Sequence, residues 1–600
     1  MRQTNQQPWI TAICFFLTGF YPTAGMAQAD DVTNAPPLSD DVALEMVVET
    51  DVEVPVGALS LRANVFRPDP PGKYPVIMSM SSYGKDLGLA DSEPEAWQAL
   101  LDAVPDVCQE SSCEWFVTET VDPERWVPDG YVVVRVDARG TGKSPGVLDA
   151  FSEQEIDDYV RAIEWTGTQD WSNGRVGLVG VSYYAMNQWL VAARQPEHLA
   201  AIIPWEGASD FYRGNSHHGG IPSNVYPDPW WEEQVLTVQH GNCASPFTDL
   251  DDGEPIGGQD CFTESELAAN RVDLPDELRA RPLNGAWYDA RSPDLASIEV
   301  PVLSAGNWGG LGLHLRGSVG GYVGAGSEEK WLAMHTGDNV PAFYEQRALE
   351  LQRQFFDFYL KGDDNGWDER PPLLLDIRHA DGTVTEREEQ GWPIPDTVWT
   401  RYSLHAADDS MSLSPPSQPG EASFDAASSE VVFTTAPFAD ETEITGPVAA
   451  RLWVSSSTTD ADLFLTLRAF NPDGNEVVFE GANDPAVPIS QGWLRLSHRA
   501  LNPELSTKWR PWHPHDAAES VKPGEAYEVE VEIWPTSVVL PAGYTLSLTV
   551  AGRDFMRSDG TGSGPFLHVD RPAPTYTGIT TIFTGPTTPS SLLVPVVPAR

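Results

Sequence analysis

Positive charge is what this 600-residue sequence has least of: 37 Lys and Arg face 88 Asp and Glu, leaving a net charge of −51. A field of that sign repels nucleic acid and anionic membrane surfaces, so neither is expected as a partner. Spread over a surface, such charge serves solubility and says nothing about fold. Cysteine is also scarce, five in all. Their spacing lacks the close Cys and His pairs of a structural zinc site, and no metal is expected. No internal repeat or extended low-complexity tract occurs, which argues against a repeat architecture. Beyond the N-terminus no apolar stretch reaches the roughly 20 residues of a membrane-spanning helix.

The N-terminus does carry a shorter one. Arg2, the apolar residues 9–20 and Ala27-Gln28-Ala29 follow the pattern of a signal peptide cleaved after Ala29. The polar sequence that follows argues against an anchor. The expected product is exported, periplasmic or extracellular. It would keep four cysteines, Cys108, Cys113, Cys243 and Cys261, an even number that reads as disulfides in an oxidising compartment. Three connectivities are possible, with free buried thiols as the alternative. The local pairs Cys108–Cys113 and Cys243–Cys261 are the expected ones, because short loops close at little entropic cost.

The length allows two or more domains. Short β-branched runs at 76–80, 131–137, 176–182, 201–205, 300–304 and 330–335 read as buried strands. Helical patterns separate them. Residues 153–166 place Ile156, Tyr159, Val160 and Ile163 mostly on one face, and 182–194 end before Pro196. This alternation predicts a doubly wound, mainly parallel sheet. The rhythm fails between Gly207 and about residue 298, read as an inserted cap over the active-site end of the sheet. A single amphipathic helix is expected over 343–361, capped by Gly362. From about Trp399 the period becomes two, which signals an all-β domain running to residue 600.

The strongest chemical signal is Val176-Gly177-Leu178-Val179-Gly180-Val181-Ser182-Tyr183, a buried strand delivering a serine into a turn before a helix. That is the nucleophile elbow, which exposes the serine oxygen and aims the next backbone N–H at a developing oxyanion. The motif usually has Gly two residues after the serine, where Tyr184 stands here. Without its surroundings, the same serine reads equally well as a helix N-cap.

The surroundings resemble the cocaine esterase-like, or CocE/NonD, hydrolase family, which includes X-Pro dipeptidyl peptidases and α-amino ester hydrolases. The resemblance runs through Trp126-Val127-Pro128-Asp129-Gly130-Tyr131, Asp137-Ala138-Arg139-Gly140-Thr141-Gly142, Trp171-Ser172-Asn173-Gly174-Arg175 and Gln188-Trp189. It resumes at 207–213, 312–317, 455–462 and Gly492-Trp493-Leu494-Arg495, and the cap matches least. It implies an α/β-hydrolase fold over 30–398, with a helical cap insertion at about 207–298 and a C-terminal jelly-roll sandwich over 399–600. It also implies a serine hydrolase of small ester, amide or peptide substrates that uses no cofactor. Ser182 would be the nucleophile, with an oxyanion hole from the Tyr183 N–H and the Tyr83 hydroxyl; Tyr83-Gly84-Lys85 matches that family's turn. Asp137–Gly142 is expected to tie loops together.

The triad departs from the family. Its acid falls on Gly310 and its histidine on Asn339, and neither residue can orient an imidazole or take up a proton. A related branch with the Asn-Trp-Gly-Gly turn, here Asn307 to Gly310, also lacks the usual acid. His335 is the substitute base in reach, with a structural histidine as the alternative reading. Glu206, Asp210 and Asp338 are the replacement carboxylates, Asp210 being preferred. The pair His217-His218 could face substrate or bind a metal, and a solvated pair is the plainer expectation. The acidic run 249–254 is a candidate holder of a substrate amine. The rival to an enzyme is a catalytically silent ligand-binding protein on the same scaffold.

Overall fold

The computed structural model describes residues 45–569, 571–572 and 574–599. The expected leader therefore lies outside the described residues. Ten strands form the first sheet: β1 (Met46–Pro55), β2 (Ser60–Pro68), β3 (Tyr74–Ser81), β4 (Val132–Asp137), β5 (Ser172–Val181), β6 (Leu199–Trp205), then, after a two-residue hairpin of β7 (His217–His218) and β8 (Ile221–Pro222), β9 (Val302–Asn307), β10 (Lys330–His335), β11 (Leu373–Arg378) and β12 (Val384–Glu389). Their order is β1-β2-β4-β3-β5-β6-β9-β10-β11-β12, and pairing is parallel from β4 through β11. Strands buried on both faces need apolar side chains at every position. In β4, Val132, Val134 and Val136 pack on one face with Ile156 and Tyr159, while Val133 packs on the other with Ile77 and Phe356.

The six strands expected from sequence are all present, with ends moved by at most four residues and 330–335 matched at both ends. The N-terminal pair β1–β2 and the C-terminal pair β11–β12 lacked a clear signal. The helix expected over 343–361 is instead two, Asn339–Tyr344 and Gln346–Phe356, followed by a π-helical turn to Lys361. Glu345 between them is extended, and the Tyr344 hydroxyl is held by the carbonyls of Thr120 and Val117, 2.9 and 3.3 Å away. That tertiary anchor overrides a continuous helical pattern. Gly362 ends the segment at φ +85°, as its cap position requires.

The second sheet has twelve strands and begins at Val398–His405. It wraps on itself as a jelly-roll sandwich: Val398–His405 pairs with Ser591–Val597, which pairs in turn with the long strand Thr442–Ser456. Its inward residues, among them Leu463, Leu465, Leu467, Leu546, Leu548 and Val550, belong to one apolar core that also takes in Leu332, Leu373 and Trp308 of the first sheet region. Both expected disulfides, Cys108–Cys113 and Cys243–Cys261, are formed. Among the described residues, no helix is long and apolar enough to cross a membrane.

Candidate active site

Three strand ends meet at Ser182. β5 delivers the serine at φ +56°, and its N–H donates to the carbonyls of Trp205 (3.2 Å) and Glu206 (3.0 Å) at the end of β6. Glu206 is itself at φ +47°, and its N–H donates to Ala305 of β9. On the other side, the Val181 N–H donates to the carbonyl of Glu119, at φ +63°. Positive φ is rare for residues with a Cβ and costs about 1–3 kcal/mol each, so three around one serine mark a site whose surroundings over-determine it.

Gly180 explains how the elbow accommodates Tyr184. A Cβ on Gly180 would lie 2.6 Å from the Tyr184 Cβ and 2.9 Å from the Glu119 carbonyl oxygen, at φ +151°. The space that the usual second glycine provides is supplied here from the strand side. Gly180→Ala is therefore expected to cost at least about 2 kcal/mol of stability, read as a lower urea midpoint with unchanged slope.

Tyr83, at the end of β3, points its phenol at the serine. The Ser182 hydroxyl lies within hydrogen-bonding reach, and the cap supplies a second donor, Trp230 Nε1, at 2.9 Å. Burial, then the nearby Glu119 and Tyr226, push the phenol well above its usual pKa, so it stays a donor. The Tyr183 N–H begins the helix Tyr183–Ala192, while its side chain is tied to Glu155 (2.9 Å) and Ser82 (3.0 Å). A phenol and a backbone N–H beside a serine oxygen are suited to an oxyanion formed there.

His335 and Glu206 are brought together: Nε2 lies 3.3 Å from Oε1. The approach is not that of an ion pair. Burial lowers the imidazole to about 3, and burial raises Glu206 to about 8, with Asp338 adding to it, so both are neutral near pH 7. Neither ring nitrogen completes a well-aligned hydrogen bond, and Glu206 Oε2 is buried without a partner. His335 is not hydrogen-bonded to Ser182 in this arrangement; its ring lies 5.1 Å from that of Trp205. Asn307 links the loops, with Nδ2 donating to Gly337 (2.7 Å) and approaching Glu206 Oε1 at 3.4 Å.

The remaining candidates lie elsewhere. Asp210 does not join the histidine: it pairs with Arg213 (3.0 Å) and Arg316 (3.7 Å), which outweigh burial and hold its carboxyl below the usual range. His217 and His218 are not solvated but buried, His217 stacked on Tyr212 and His218 Nδ1 2.8 Å from His568 Nε2. The acidic run serves Lys143, which sits 2.9 Å from both Asp249 and Asp252. Asp51, Asp86 and Asp249 converge closely enough to hold a metal ion. Lys85 and Lys143 already lie among them, Lys143 being 2.7 Å from Asp51, so the charge is met from within. Asp137 accepts from the N–H groups of Lys85 and Lys143, and Arg139 grips Asp158 with two hydrogen bonds, the loop-tying role expected of that run.

The family's histidine position, Asn339, and Gly309, the neighbour of the acid position Gly310, pack against the second sheet region, while Gly310 itself meets Asn307 and Leu315 of its own loop. A Cβ on Gly309 would lie 2.4 Å from the Gly481 Cα of the second sheet region; the Ala482 N–H donates to Gly309 and the Asn339 N–H to Ala482. Sequence reasoning missed Glu119. It sits beyond the Cys108–Cys113 loop, one Oε2 buried without a partner, its carboxyl pushed well above the usual range by burial and by Glu93 and Glu206. No periodicity marks it, and only the fold brings it to Ser182.

An elbow serine after β5, a phenol and an N–H beside its oxygen, and a cap across the strand ends define a serine hydrolase of the α/β-hydrolase fold. Residues 57–338 match the X-Pro dipeptidyl-peptidase (S15 family) model, and 365–593 that of the X-Pro dipeptidyl-peptidase C-terminal non-catalytic domain. A solved CocE/NonD family hydrolase from Staphylococcus aureus is 33% identical over 92% of this chain and 94% of its own, with a TM-score of 0.80. The chain belongs to the CocE/NonD hydrolase family. The cocaine esterase of Rhodococcus sp. is 24% identical over 92% of this chain and 98% of that protein. An α-amino acid ester hydrolase, 14% identical with a TM-score of 0.64 over 94% of this chain and 99% of that one, shares the fold.

Proposed function

We propose that this hydrolase cleaves carboxylic ester or amide bonds through an acyl-enzyme on Ser182, without a cofactor, as an exported protein. The strained elbow serine facing the Tyr83 phenol carries the reading. In the acylation step Ser182 Oγ attacks the carbonyl carbon and passes its proton to His335. The carbonyl oxygen, now an anion, takes hydrogen bonds from Tyr83 and the Tyr183 N–H. His335 returns the proton to the departing alcohol or amine, and water then releases the acid by the same steps. His335 must turn from its place against Trp205 to do this, a movement its unsatisfied ring nitrogens favour.

Glu119 favours substrates with a free amino group, as in release of an X-Pro dipeptide. A buried carboxyl with an unused oxygen beside Tyr83 gains an ionic partner when an ammonium enters, and loses its proton in doing so. A panel of p-nitroanilides of X-Pro dipeptides, their N-acetyl forms and p-nitrophenyl acetate tests this. Glu119→Gln should raise KM about 10-fold to 100-fold for the free-amine substrate alone. Equal turnover of acetylated and free forms would remove the amine requirement and leave a plain esterase.

A further inference from the structure

A cavity of about 320 Å³ lies between the helix Leu315–Gly324 and the twelve-stranded sheet. Ser182, Tyr83, Glu119, Glu206 and His335 do not line it; of the sequence candidates only Asp210 does. Trp392, Trp509 and Trp512 form its aromatic walls. Its inner charges are matched in a chain: Arg213 and Arg316 take Asp210, and Arg316 also takes Glu532 at 3.0 Å. The other lining carboxylate, Asp289, is exposed.

Arg510 is left over. Its guanidinium lies over Trp512 and Trp509, 5.4 and 5.7 Å from the ring centres, and has no hydrogen bond or ion pair among the described residues; its Nε is buried without an acceptor. A guanidinium keeps its proton in proteins, so the buried Nε–H costs free energy until an acceptor arrives, and the half-exposed terminal nitrogens are free to meet the same acceptor. In a chain of net charge −51, a half-buried guanidinium with no hydrogen-bonded acceptor, which Glu532 and Asp210 attract only at a distance, is the feature that acidic surface does not explain. One cation suits one monoanion, and a planar fork matches a carboxylate with two parallel hydrogen bonds. Indole walls suit a flat apolar body. The volume lies at the small end of the roughly 300–1,000 Å³ typical of ligand sites.

We propose that this interdomain cavity binds a small aromatic carboxylate, held by Arg510 and packed between the tryptophans, separately from catalysis at Ser182. The probe is 2-naphthoate, titrated calorimetrically into the full-length protein, with neutral 2-naphthamide in parallel. Naphthoate should bind at least about tenfold more tightly than the amide, and Arg510→Gln should erase that difference. Gly320→Leu gives an independent check, because a Cβ there would meet only the Ser209 Oγ at 3.5 Å and the longer side chain would fill the cavity. It should abolish naphthoate binding while leaving turnover at Ser182 unchanged. Equal affinity for naphthoate and naphthamide, or naphthoate binding undiminished in Gly320→Leu, would overturn the proposal.

Discussion

Ser182→Ala is expected to abolish labelling by a fluorophosphonate probe and to lower ester turnover by about 10⁶-fold, with the protein still folded. The size of the effect follows from the geometry. Phosphonylation and acylation both need an oxygen at the elbow, and among the described residues no other hydroxyl occupies a strand-to-helix turn with a phenol and a backbone N–H beside it. Residual turnover of about 10³-fold to 10⁴-fold over water would remain from the oxyanion donors and binding alone. The control is Asn339→His, which restores the residue that the family pattern places there. A wild-type protein that resists the probe while Asn339→His accepts it would identify a silent scaffold. A wild-type protein that labels shows that the chain supplies its own base.

The parts of this site that lie on strands were legible, because buried parallel strands write their identity as continuous β-branched runs. Val176 to Val181 fixed Ser182 at a strand end, and 76–80 placed Tyr83 just beyond another. Choices among loop residues were not legible. Glu206 and Asp210 stand four positions apart after β6, and their fates are set by distant partners: Arg316 draws Asp210 away, while the positive φ of Glu206 turns it toward His335. His218 read as polar surface because the rings that cover it, Trp493, Trp534 and His568, lie far along the chain, and His217 because Tyr288 closes over it only in the fold. Glu119 shows the same limit more sharply, since its loop has no period and its closeness to Val181 is a tertiary hydrogen bond.

The pH dependence of turnover should carry the signature of Glu206. Burial raises its carboxyl to about 8 and lowers His335 to about 3, so from pH 5 to 7 the pair holds a neutral acid beside a neutral imidazole. When Ser182 gives up its proton the imidazole becomes a cation, and that charge is stabilised only if Glu206 is ionised. The kcat/KM for an ester should therefore rise with pH through an apparent pKa near 8 and level off above it. Glu206→Gln keeps the shape but cannot ionise. Its rate should stay flat over the same range, about 10³-fold to 10⁴-fold below the wild-type plateau, and His335→Ala should fall as far. Stability moves the opposite way. Between the ordinary carboxyl value of 4.5 and about 8 the folded chain holds a proton on Glu206 that the unfolded chain releases. The native state binds more protons there, so wild-type stability should fall as pH rises through that window, and Glu206→Gln should lack this slope. A merely structural pair would shift the stability curve and leave the pH profile of turnover untouched. A rise near pH 8 that persists in Glu206→Gln would assign the base elsewhere.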